Sequence, residues 1–441
     1  LTLAVFFGSL VMLPTKAVLA KMLPGKSANT FSIYVDTPKG SSADQTQEVA
    51  ACAAKLVAAE EEVTDVSIFL GQGAPLDYAG LVKGSAQKND KNKAEIVVNL
   101  TDKHGREEKS FEMVHRLRPS VKSSCEPLVE GSIVKMIEQP AGPPTLAAIV
   151  IELYGSGSAQ KRALAKEIGD VLQETDGLAD IDIRHEKIHT MYDLVVDKEK
   201  LRRSHLSVKQ VNRILHLAFE GSVVGAKNNL DHPNQLGLFL TLDPQKQILQ
   251  NLSKRQLHDR LLELKLMNAQ GRTVALGEVV TLKTVSSTPQ VDTKNLRQIT
   301  RVTAAADMTS QVYPLLEARN MIKQRLSDTY EVQSTDLFNL SFTSKKTGQM
   351  YDLVWDGEMD VTLDTFRDLG LAFIAALALI FVVLVVYYRS YSIASVVLLG
   401  SFLSLFGVIL GHWVLDIFTD NTFYLTATSM IGFIVLMGIS S

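Results

Sequence analysis

The sequence has little cysteine and no excess of positive charge. Its 441 residues include two cysteines, and 45 Lys and Arg stand against 48 Asp and Glu, a formal net charge of −3. No helical face carries a basic stripe, so a nucleic-acid partner has no electrostatic support. No Ser-His-Asp set, phosphate-binding loop or pair of catalytic carboxylates is recognisable. We therefore expect no enzyme, no catalytic residue and no cofactor.

Charge is also missing from the last part of the chain. Leu369–Tyr388 contains no charged residue, and Ile393–Leu415 contains one titratable side chain, His412. Either run is long enough to cross a hydrocarbon layer of about 30 Å. His412 stands beside Trp413, which favours a residue of the interfacial belt over a proton carrier. The predicted membrane segments are 1–14 (the end of a helix), 363–389, 391–416 and 422–441 (the start of a helix), and both chain ends are expected to cut through membrane helices.

The short loops between the apolar runs predict the orientation of the chain. Arg389 lies in the first turn, whereas Asp416–Thr422 contains two Asp and no Lys or Arg. Positive loops stay in the cytoplasm, so residues from about 14 to 365 are expected in the periplasm. Cys52 and Cys125 then face an oxidising compartment. Each falls in a predicted helix and nothing sets their distance, so two free, partly buried thiols are favoured over a disulfide.

The extracytoplasmic part begins with a β-α-β-β-α-β pattern. Alternating strands and helical periodicity follow one another in the order of a ferredoxin-like sandwich. The strands are predicted at Thr30–Asp36, Val63–Leu70, Glu95–Thr101 and Ser132–Gln139, and the helices at Ala43–Glu61 and Ser110–Ser124.

The same pattern then starts again and is interrupted. Strands are predicted at Ala148–Tyr154, Leu178–Ile183, Tyr192–Val196, Ile299–Ala305 and near Tyr330, with helices at Ala159–Thr175 and Leu315–Arg325. Residues 198–296 separate these elements and contain a helix, Ser207–Phe219 with Ser207 as N-cap, and strand-like runs Leu236–Leu242 and Thr273–Leu282. The predicted fold class is α+β: two tandem ferredoxin-like (βαββαβ) subdomains with an inserted subdomain, flanked by transmembrane α-helices.

Five stretches carry a family resemblance: Met22–Thr46, Gly71–Gly84, Glu138–Gly155, Trp355–Phe373 and Thr426–Ser440. In their order and spacing the chain resembles the second half of resistance-nodulation-division efflux permeases, of the AcrB/AcrD/AcrF-like or heavy-metal-exporter type. The resemblance runs from the seventh membrane helix to the beginning of the tenth. Lys26 departs from the family, which usually has an acidic residue there.

The resemblance implies a domain organisation and a function. Residues 25–142 would be a first porter subdomain, 143–197 and 297–362 a second, and 198–296 a docking subdomain. The implied function is an inner-membrane permease of a tripartite efflux system, driving export of drugs or other amphiphilic compounds with protons. Implied partners are two further copies in a homotrimer, a periplasmic membrane-fusion adaptor, an outer-membrane channel and membrane lipid. The proton-relay residues are expected outside this chain, in the fourth membrane helix and after Ser441.

Two other classes of function remain open. One is a heavy-metal exporter of the same superfamily, and the other is a non-transporting membrane protein that binds a partner through a similar periplasmic domain. No metal-ligand cluster is recognisable, so organic amphiphiles are favoured as substrates.

A long Gly- and Lys-rich loop, Gly71–Lys93, is the first candidate site. Loops this long inside a compact domain are functional or disordered, and its apolar residues are clustered. The resemblance implies a mobile loop between substrate pockets, against a plain surface loop. The candidate substrate-binding residues are Phe69, Leu76, Tyr78, Leu81 and Val82, although for Phe69 a core position is favoured over a ligand contact.

A proline-rich linker and an H-E-x-x-H motif complete the candidates. Pro140, Gly142, Pro143 and Pro144 fix the backbone and remove donors, which predicts a hinge between the two sandwiches. The motif His185–His189 would bind zinc only on a helix. Its flanks alternate like the strands of a hairpin, so a solvated tip and no metal site are predicted.

Overall fold

The computed structural model describes residues 2–139, 142, 145–184, 188–228, 235–242, 253–419 and 422–440. They form two compact units. The first unit contains Leu1–Pro38, Ala43–His185 and Val291–Ser441, and the second contains Lys39–Ser42 and Glu186–Gln290.

The first unit begins with a short helix and a four-stranded antiparallel sheet. The strand order is β2-β3-β1-β4, and two long helices cover one face. This is a ferredoxin-like sandwich and confirms the predicted fold class for this segment. The elements are α1 (Thr2–Leu10), β1 (Thr30–Asp36), α2 (Ala43–Val57), β2 (Val63–Leu70), α3 (Tyr78–Lys83), β3 (Lys93–Leu100), α4 (Ser110–Cys125) and β4 (Ile133–Ile137).

The core of the first sandwich lies between the sheet and its helices. Phe31, Ile33 and Val35 alternate along β1 and are fully buried, because successive side chains of a strand point to opposite faces. Val49 and Ala53, four residues apart on α2, pack against them in the same cluster. Every second side chain of β1 and side chains four residues apart on α2 therefore lie in the same apolar layer.

Cys52 and Cys125 form a disulfide that joins α2 to α4, with their Cα atoms 5.7 Å apart. The prediction of two free thiols is wrong. Both helices pack on the same face of the sheet, which brings together cysteines that are 73 residues apart in sequence. Helical periodicity predicts that each cysteine lies in a helix, but it does not predict how close the two helices bring the two sulfur atoms.

The second sheet begins in the first unit with β5 (Ile149–Tyr154), α5 (Ser158–Glu174) and β6 (Leu178–Arg184). The chain then forms the second unit. Among its described residues the strand pairs are β7 with β12, β8 with β9 and β10 with β11. The elements are β7 (Thr190–Val196), α6 (Lys198–Arg203), α7 (Val208–Phe219), β8 (Ser222–Lys227), β9 (Leu236–Leu240), α8 (Lys254–Glu263), β10 (Lys265–Met267), β11 (Thr273–Ala275), α9 (Leu276–Val279) and β12 (Val280–Ser286).

Two expectations for this region have different outcomes. Ser207 caps α7, accepting from the Gln210 amide at 3.3 Å, as predicted. Tyr192–Val196, predicted as a strand of the second sandwich, instead pairs with β12 inside the second unit. The strands on either side of the H-E-x-x-H motif therefore belong to different sheets, and the predicted hairpin is wrong. His185, Glu186 and Lys187 lie outside the described residues.

The rest of the second sheet follows the second unit in sequence. The strand order β13-β14-β5-β17-β16-β15, with β6 on β14, contains the ferredoxin-like order β6-β14-β5-β17. The predicted final strand near Tyr330 exists, but it is at the sheet edge and β17 takes its place beside β5. The elements are β13 (Asp292–Lys294), β14 (Arg297–Ala306), α10 (Val312–Leu326), β15 (Tyr330–Ser334), β16 (Leu340–Ser344) and β17 (Met350–Asp356).

Three apolar helices end the chain: α11 (Glu358–Tyr388), α12 (Tyr391–Phe418) and α13 (Ala427–Ser440). Over the described side chains, α11 alone is long and apolar enough to cross a membrane, with a mean hydropathy of 3.2 in its most apolar window. Shorter apolar stretches occupy Tyr391–Gly400, Phe406–Phe418 and Ala427–Ile439.

The disulfide gives a direct test of the first sandwich. Replacing Cys52 and Cys125 with Ser should lower the free energy of unfolding of this sandwich by roughly 4 kcal/mol, because closing a loop of this length restricts the unfolded chain. Denaturant unfolding with and without reductant measures the difference. The chain has no other cysteine, so thiol labelling of the unreduced, unfolded protein should be zero, and two labels per chain would contradict the bond.

Candidate functional site

The loop between β2 and β3 contains its own short helix. The Asp77 carboxylate caps α3 by accepting from the Gly80 amide at 2.6 Å. Gly84 ends the helix with φ 86°, and its amide donates to the Gly80 carbonyl at 3.1 Å. A residue without Cβ adopts this left-handed conformation at no steric cost. The loop is therefore built around a capped helical turn.

The sheet places a row of functional side chains under this loop. Glu95 on β3 is paired with Phe69 on β2 and with Tyr34 on β1. Paired residues point to the same face, and this face is opposite to the one on which Ile33 and Ile96 meet the helices. Phe69 is half-buried on this open face and lies outside the apolar core cluster. The core position favoured for Phe69 is therefore not the one it occupies, and its role as a substrate contact stays a prediction.

A single buried carboxylate anchors the loop at three points. The Glu95 side chain is 3% exposed, and its Oε2 lies 3.1 Å from the Lys88 ammonium and accepts from the Ala74 amide at 3.3 Å. Its Oε1 accepts from the Ser85 hydroxyl at 3.1 Å. The Tyr34 hydroxyl lies 3.1 Å from Ser85 Oγ. We call Tyr34, Ser85, Lys88 and Glu95 the anchor cluster.

The anchor cluster is strongly affected by its burial. Loss of solvent lowers the pKa of Lys88 to about 8, although the Glu95 carboxylate acts in the opposite direction. Burial also raises the pKa of Tyr34 to about 12, while its hydrogen bond with Ser85 opposes the shift. At neutral pH the cluster thus holds a charged Lys88 and an uncharged phenol.

Gly73 allows the two ends of the loop to touch. A Cβ at this position would lie 2.0 Å from the Ser85 carbonyl oxygen, which is far inside van der Waals contact. Since a backbone atom is the neighbour, only glycine fits here. The close approach holds the start of the loop against the segment that carries Ser85.

Above this base the loop presents apolar side chains to solvent. Leu76, Leu81 and Val82 are 55%, 66% and 37% exposed. The side chain of Tyr78 lies outside the described residues, so its role as a substrate contact stays a prediction. The sequence missed the anchor cluster, although one charged residue, Glu95, inside an otherwise apolar stretch of strand was a usable signal.

The proline-rich linker contains one candidate residue, Gly142, that the structure describes. Pro140, Pro143 and Pro144 lie outside the described residues, and Gly142 packs near Leu23, 3.0 Å from an added Cβ. The hinge therefore stays a prediction.

Ion pairs across the two sandwiches were not predicted. Arg118 on α4 is buried and contacts Asp180 at 3.2 Å and Asp307 at 2.5 Å. Burial lowers the pKa of Arg118, but the two carboxylates outweigh it and the net direction is upward. Lys135 on β4 reaches Asp182 at 2.7 Å. Partners so distant in sequence leave no local pattern.

Within the described part of the chain, no group of three or more His, Cys, Asp or Glu side chains is arranged to hold a metal ion.

The two sandwiches share the ferredoxin-like core order, β2-β3-β1-β4 in the first and β6-β14-β5-β17 within the larger second sheet. With a unit inserted into the second sandwich and a long apolar helix after it, this is a porter-domain fold. The model of the AcrB/AcrD/AcrF family matches residues 1–441. The chain belongs to this family of resistance-nodulation-division efflux permeases, which are inner-membrane proteins.

Solved structures show the same fold. Two crystal forms of a heavy metal efflux pump superpose with TM-scores of 0.67 and 0.68, each at 18% identity over 99% of this chain. The chain spans 42% and 41% of the length of those two structures. No curated protein sequence matches the chain.

The anchor cluster gives a pH-dependent test. Glu95→Gln leaves the Lys88 ammonium buried without its partner, and local opening of residues 71–92 should become easier by about 3 kcal/mol, roughly a hundredfold. The pKa of Lys88 is about 8 in the folded chain, against 10.5 for the free side chain. Because Glu95 raises this pKa, Lys88 of the folded variant loses its proton at a lower pH than in the wild type, so the penalty should shrink as pH rises toward 8 and level off above it.

Subtilisin cleavage within residues 71–92 at pH 7 and pH 9, relative to a peptide of the same sequence, measures this opening. Glu199→Gln is the matched control because its ion pair with Arg203 is exposed and should contribute little. Equal cleavage of the Glu95→Gln and Glu199→Gln variants, or no change with pH, would count against the anchor.

Proposed function

We propose that this chain forms the substrate-handling part of a proton-driven permease that exports drugs or other amphiphilic compounds. The observation that carries the proposal is the loop helix α3. It displays Leu81 and Val82 to solvent while the buried Glu95 holds its base to the sheet. Because Glu95 holds the loop in place, an apolar ligand can bind these exposed side chains without the cost of ordering the loop.

The chemistry of this surface suits an amphiphile. Ligand sites combine apolar walls with a few fixed polar groups, and here Leu76, Leu81 and Val82 supply apolar area above a loop base tied to Tyr34 and Glu95. Phe69 adds an aromatic ring on the same face of the sheet as Glu95. The proposed substrate contacts are Phe69, Leu76, Leu81 and Val82, with Tyr78 added from the sequence.

The assembly and membrane path are also proposed. The helices α11, α12 and α13 would span or enter the inner membrane, and the two sandwiches would lie in the periplasm. The second unit would serve as the docking subdomain toward an outer-membrane channel. A homotrimer with a periplasmic adaptor protein is the proposed working form, and its activity is transport without enzyme chemistry.

Export of heavy-metal ions is the second candidate. The two similar structures are described as a heavy metal efflux pump. A metal substrate would need a group of oxygen, nitrogen or sulfur ligands, and the exposed side chains Leu76, Leu81 and Val82 supply none. If the substrate is an amphiphile, resistance to dyes and detergents should depend on α3. If the substrate is a metal ion, tolerance to metal salts should change instead.

Substitutions in the loop separate these candidates. Leu76→Ser with Leu81→Ser should weaken handling of large apolar dyes and detergents by about 1 kcal/mol per lost contact, roughly fivefold each, since apolar area contributes about 25 cal/mol per Å². Minimum inhibitory concentrations in the natural host, at equal expression, measure the effect.

Leu337→Ser is the matched control, because Leu337 is 78% exposed and lies outside the loop. Dye and detergent resistance that stays at the level of this control would refute a substrate role for the loop. A selective change in tolerance to copper, silver or zinc salts would favour the metal exporter. Unchanged resistance to both classes after deletion of the gene would favour a non-transporting protein.

The proposed membrane path can be tested by cysteine labelling. Both native cysteines are in the disulfide, so a new cysteine reacts against no free-thiol background. With the outer membrane permeabilised, Ser392→Cys next to the cytoplasmic Arg389 turn should resist a membrane-impermeant maleimide, whereas Thr422→Cys should react. The reverse pattern would invert the orientation, and labelling of both would exclude a span between them.

A further inference from the structure

His412 on α12 has a partner at each ring nitrogen. Its Nδ1 lies 2.8 Å from the Val408 carbonyl oxygen one turn earlier, and its Nε2 lies 2.9 Å from Ser429 Oγ on α13. The ring is half-buried and packs against Phe423 with centroids 5.3 Å apart. The side chain therefore bridges two apolar helices.

The geometry determines where the hydrogens are. A carbonyl oxygen only accepts, so Nδ1 carries a hydrogen and donates it to Val408 in either charge state of the ring. In the neutral ring, Nε2 accepts from the Ser429 hydroxyl. In the charged ring, Nε2 donates to Ser429 Oγ. The contact survives protonation, but its direction reverses.

A row of hydroxyls continues from this contact. Ser429 Oγ lies 3.1 Å from Thr426 Oγ1, which lies 2.7 Å from Thr428 Oγ1. When Ser429 accepts from the charged ring, its own hydrogen turns toward Thr426. The Thr426 hydroxyl then turns toward Thr428, whose side chain is exposed. Each hydroxyl keeps its hydrogen and changes only its orientation.

The same side chains hold the first turn of α13. The Thr426 amide donates to Ser429 Oγ and the Ser429 amide donates to Thr426 Oγ1, both at 3.3 Å. This is the reciprocal arrangement of a capping box, which satisfies the free amides at the start of a helix. A reversal at Ser429 therefore acts on the cap of α13.

The cap is joined by backbone hydrogen bonds to the segment after α1. The Leu425 amide donates to the Leu19 carbonyl at 2.8 Å, and the Lys21 amide donates to the Leu425 carbonyl at 3.0 Å. The Ser310 hydroxyl, at the start of α10 in the second sandwich, donates to the Ala20 carbonyl at 2.5 Å. His412 is thus connected to the second sandwich through an unbroken series of hydrogen bonds.

Charged groups around this site lie at its edges. The helices α1 and α13 contain no Asp, Glu, Lys, Arg or His. On α12, Asp416 follows one turn later and accepts from the Phe423 amide at 2.7 Å. The ammonium of Lys21 lies over the Tyr424 ring and that of Lys16 over the Tyr313 ring. The charged residues near the start of α11 are Glu358, Asp360, Asp364, Arg367 and Asp368, of which Arg367 is paired with Asp364 and Asp368.

We propose that His412 is a reversible proton-binding site whose two charge states reverse the hydroxyl row Ser429, Thr426 and Thr428 and so act on the α13 cap. Water supplies the proton, which forms one N–H bond at Nε2, and no other covalent bond changes. Histidine is the side chain suited to such a change between about pH 5 and 8. The proposal does not depend on export, so its failure leaves the proposed function untouched.

Trp413, next in sequence on α12, is the fluorescent probe for the charge of the ring. The full chain in detergent should show a sigmoidal change in tryptophan emission as the pH is lowered. His412→Gln should abolish this change. Ser429→Ala should lower its midpoint by about half a pH unit, because the lost bond is stronger when the ring is charged. Ser395→Ala, which removes a hydroxyl bonded to the Tyr391 carbonyl of the same helix, should match the wild type.

A titration that persists in the His412→Gln variant, or equal midpoints for the Ser429→Ala and Ser395→Ala variants, would overturn the site. The effect on the cap has its own measurement. Amide exchange at Leu425 and Ala427, corrected for intrinsic rates, should differ above and below the midpoint in the wild type and not in the His412→Gln variant. Identical protection on both sides of the midpoint would overturn the link to α13.

Discussion

A buried carboxylate must be paired with hydrogen-bond donors or cations. Three acidic side chains in the first unit are buried in this way. The side chains of Glu95, Glu152 and Asp180 are 3%, 2% and 2% exposed. Leaving one of them unpaired would cost several kcal/mol, so their donors must be in place whenever the unit is folded. Much of the arrangement outside the two apolar cores follows from where those donors lie.

Each carboxylate joins a different piece of the chain to a sheet. Glu95 holds the loop of α3, and Asp180 receives Arg118 at 3.2 Å and Lys122 at 2.7 Å from the first sandwich. Glu152 lies 2.9 Å from the Lys294 ammonium of β13. Burial lowers the pKa of Lys294, but Asp356 and Glu152 outweigh this and raise it. The cores therefore stabilise each sandwich, while the buried carboxylates determine what is attached to it.

The local sequence pattern predicts the helices and strands, but it does not predict which strands pair with each other. The alternation of Phe31, Ile33 and Val35 predicts β1 and its buried face, and the βαββαβ order then predicts the first sandwich. Tyr192–Val196 alternates equally well, but alternation does not say which strand it pairs with, and β12 proved to be its partner.

The candidate site shows the same division between local and distant information. The exposed apolar residues of the loop could be predicted from their clustering in sequence. The anchor beneath them could not, because Tyr34 meets Ser85 only after β1 and β3 are paired, and the folded loop, not the sequence, brings Ser85 and Lys88 onto Glu95. The disulfide and the pairs of Arg118 depend in the same way on how helices and sandwiches pack.

The path from the second sandwich into α11 leaves little room for independent motion. Gly357, with φ 86°, turns β17 directly into the helix, and an added Cβ would lie 2.7 Å from the Ala147 carbonyl oxygen. Met359, in the first turn of α11, is fully buried in the core cluster of the second sandwich. Thr362 accepts from the Gln311 side chain of the same sandwich at 3.0 Å.

The first turn of α11 is thus part of the sandwich core, and close-packed cores transmit displacement instead of absorbing it. The amides of Glu358 and Met359 also donate to the Ala147 and Ala148 carbonyls, at 3.2 Å each, which ties the helix start to the segment before β5. A tilt of α11 must therefore carry β17, and with it the strand β5 on which Glu152 lies. The start of α11 and the second sandwich should therefore move together.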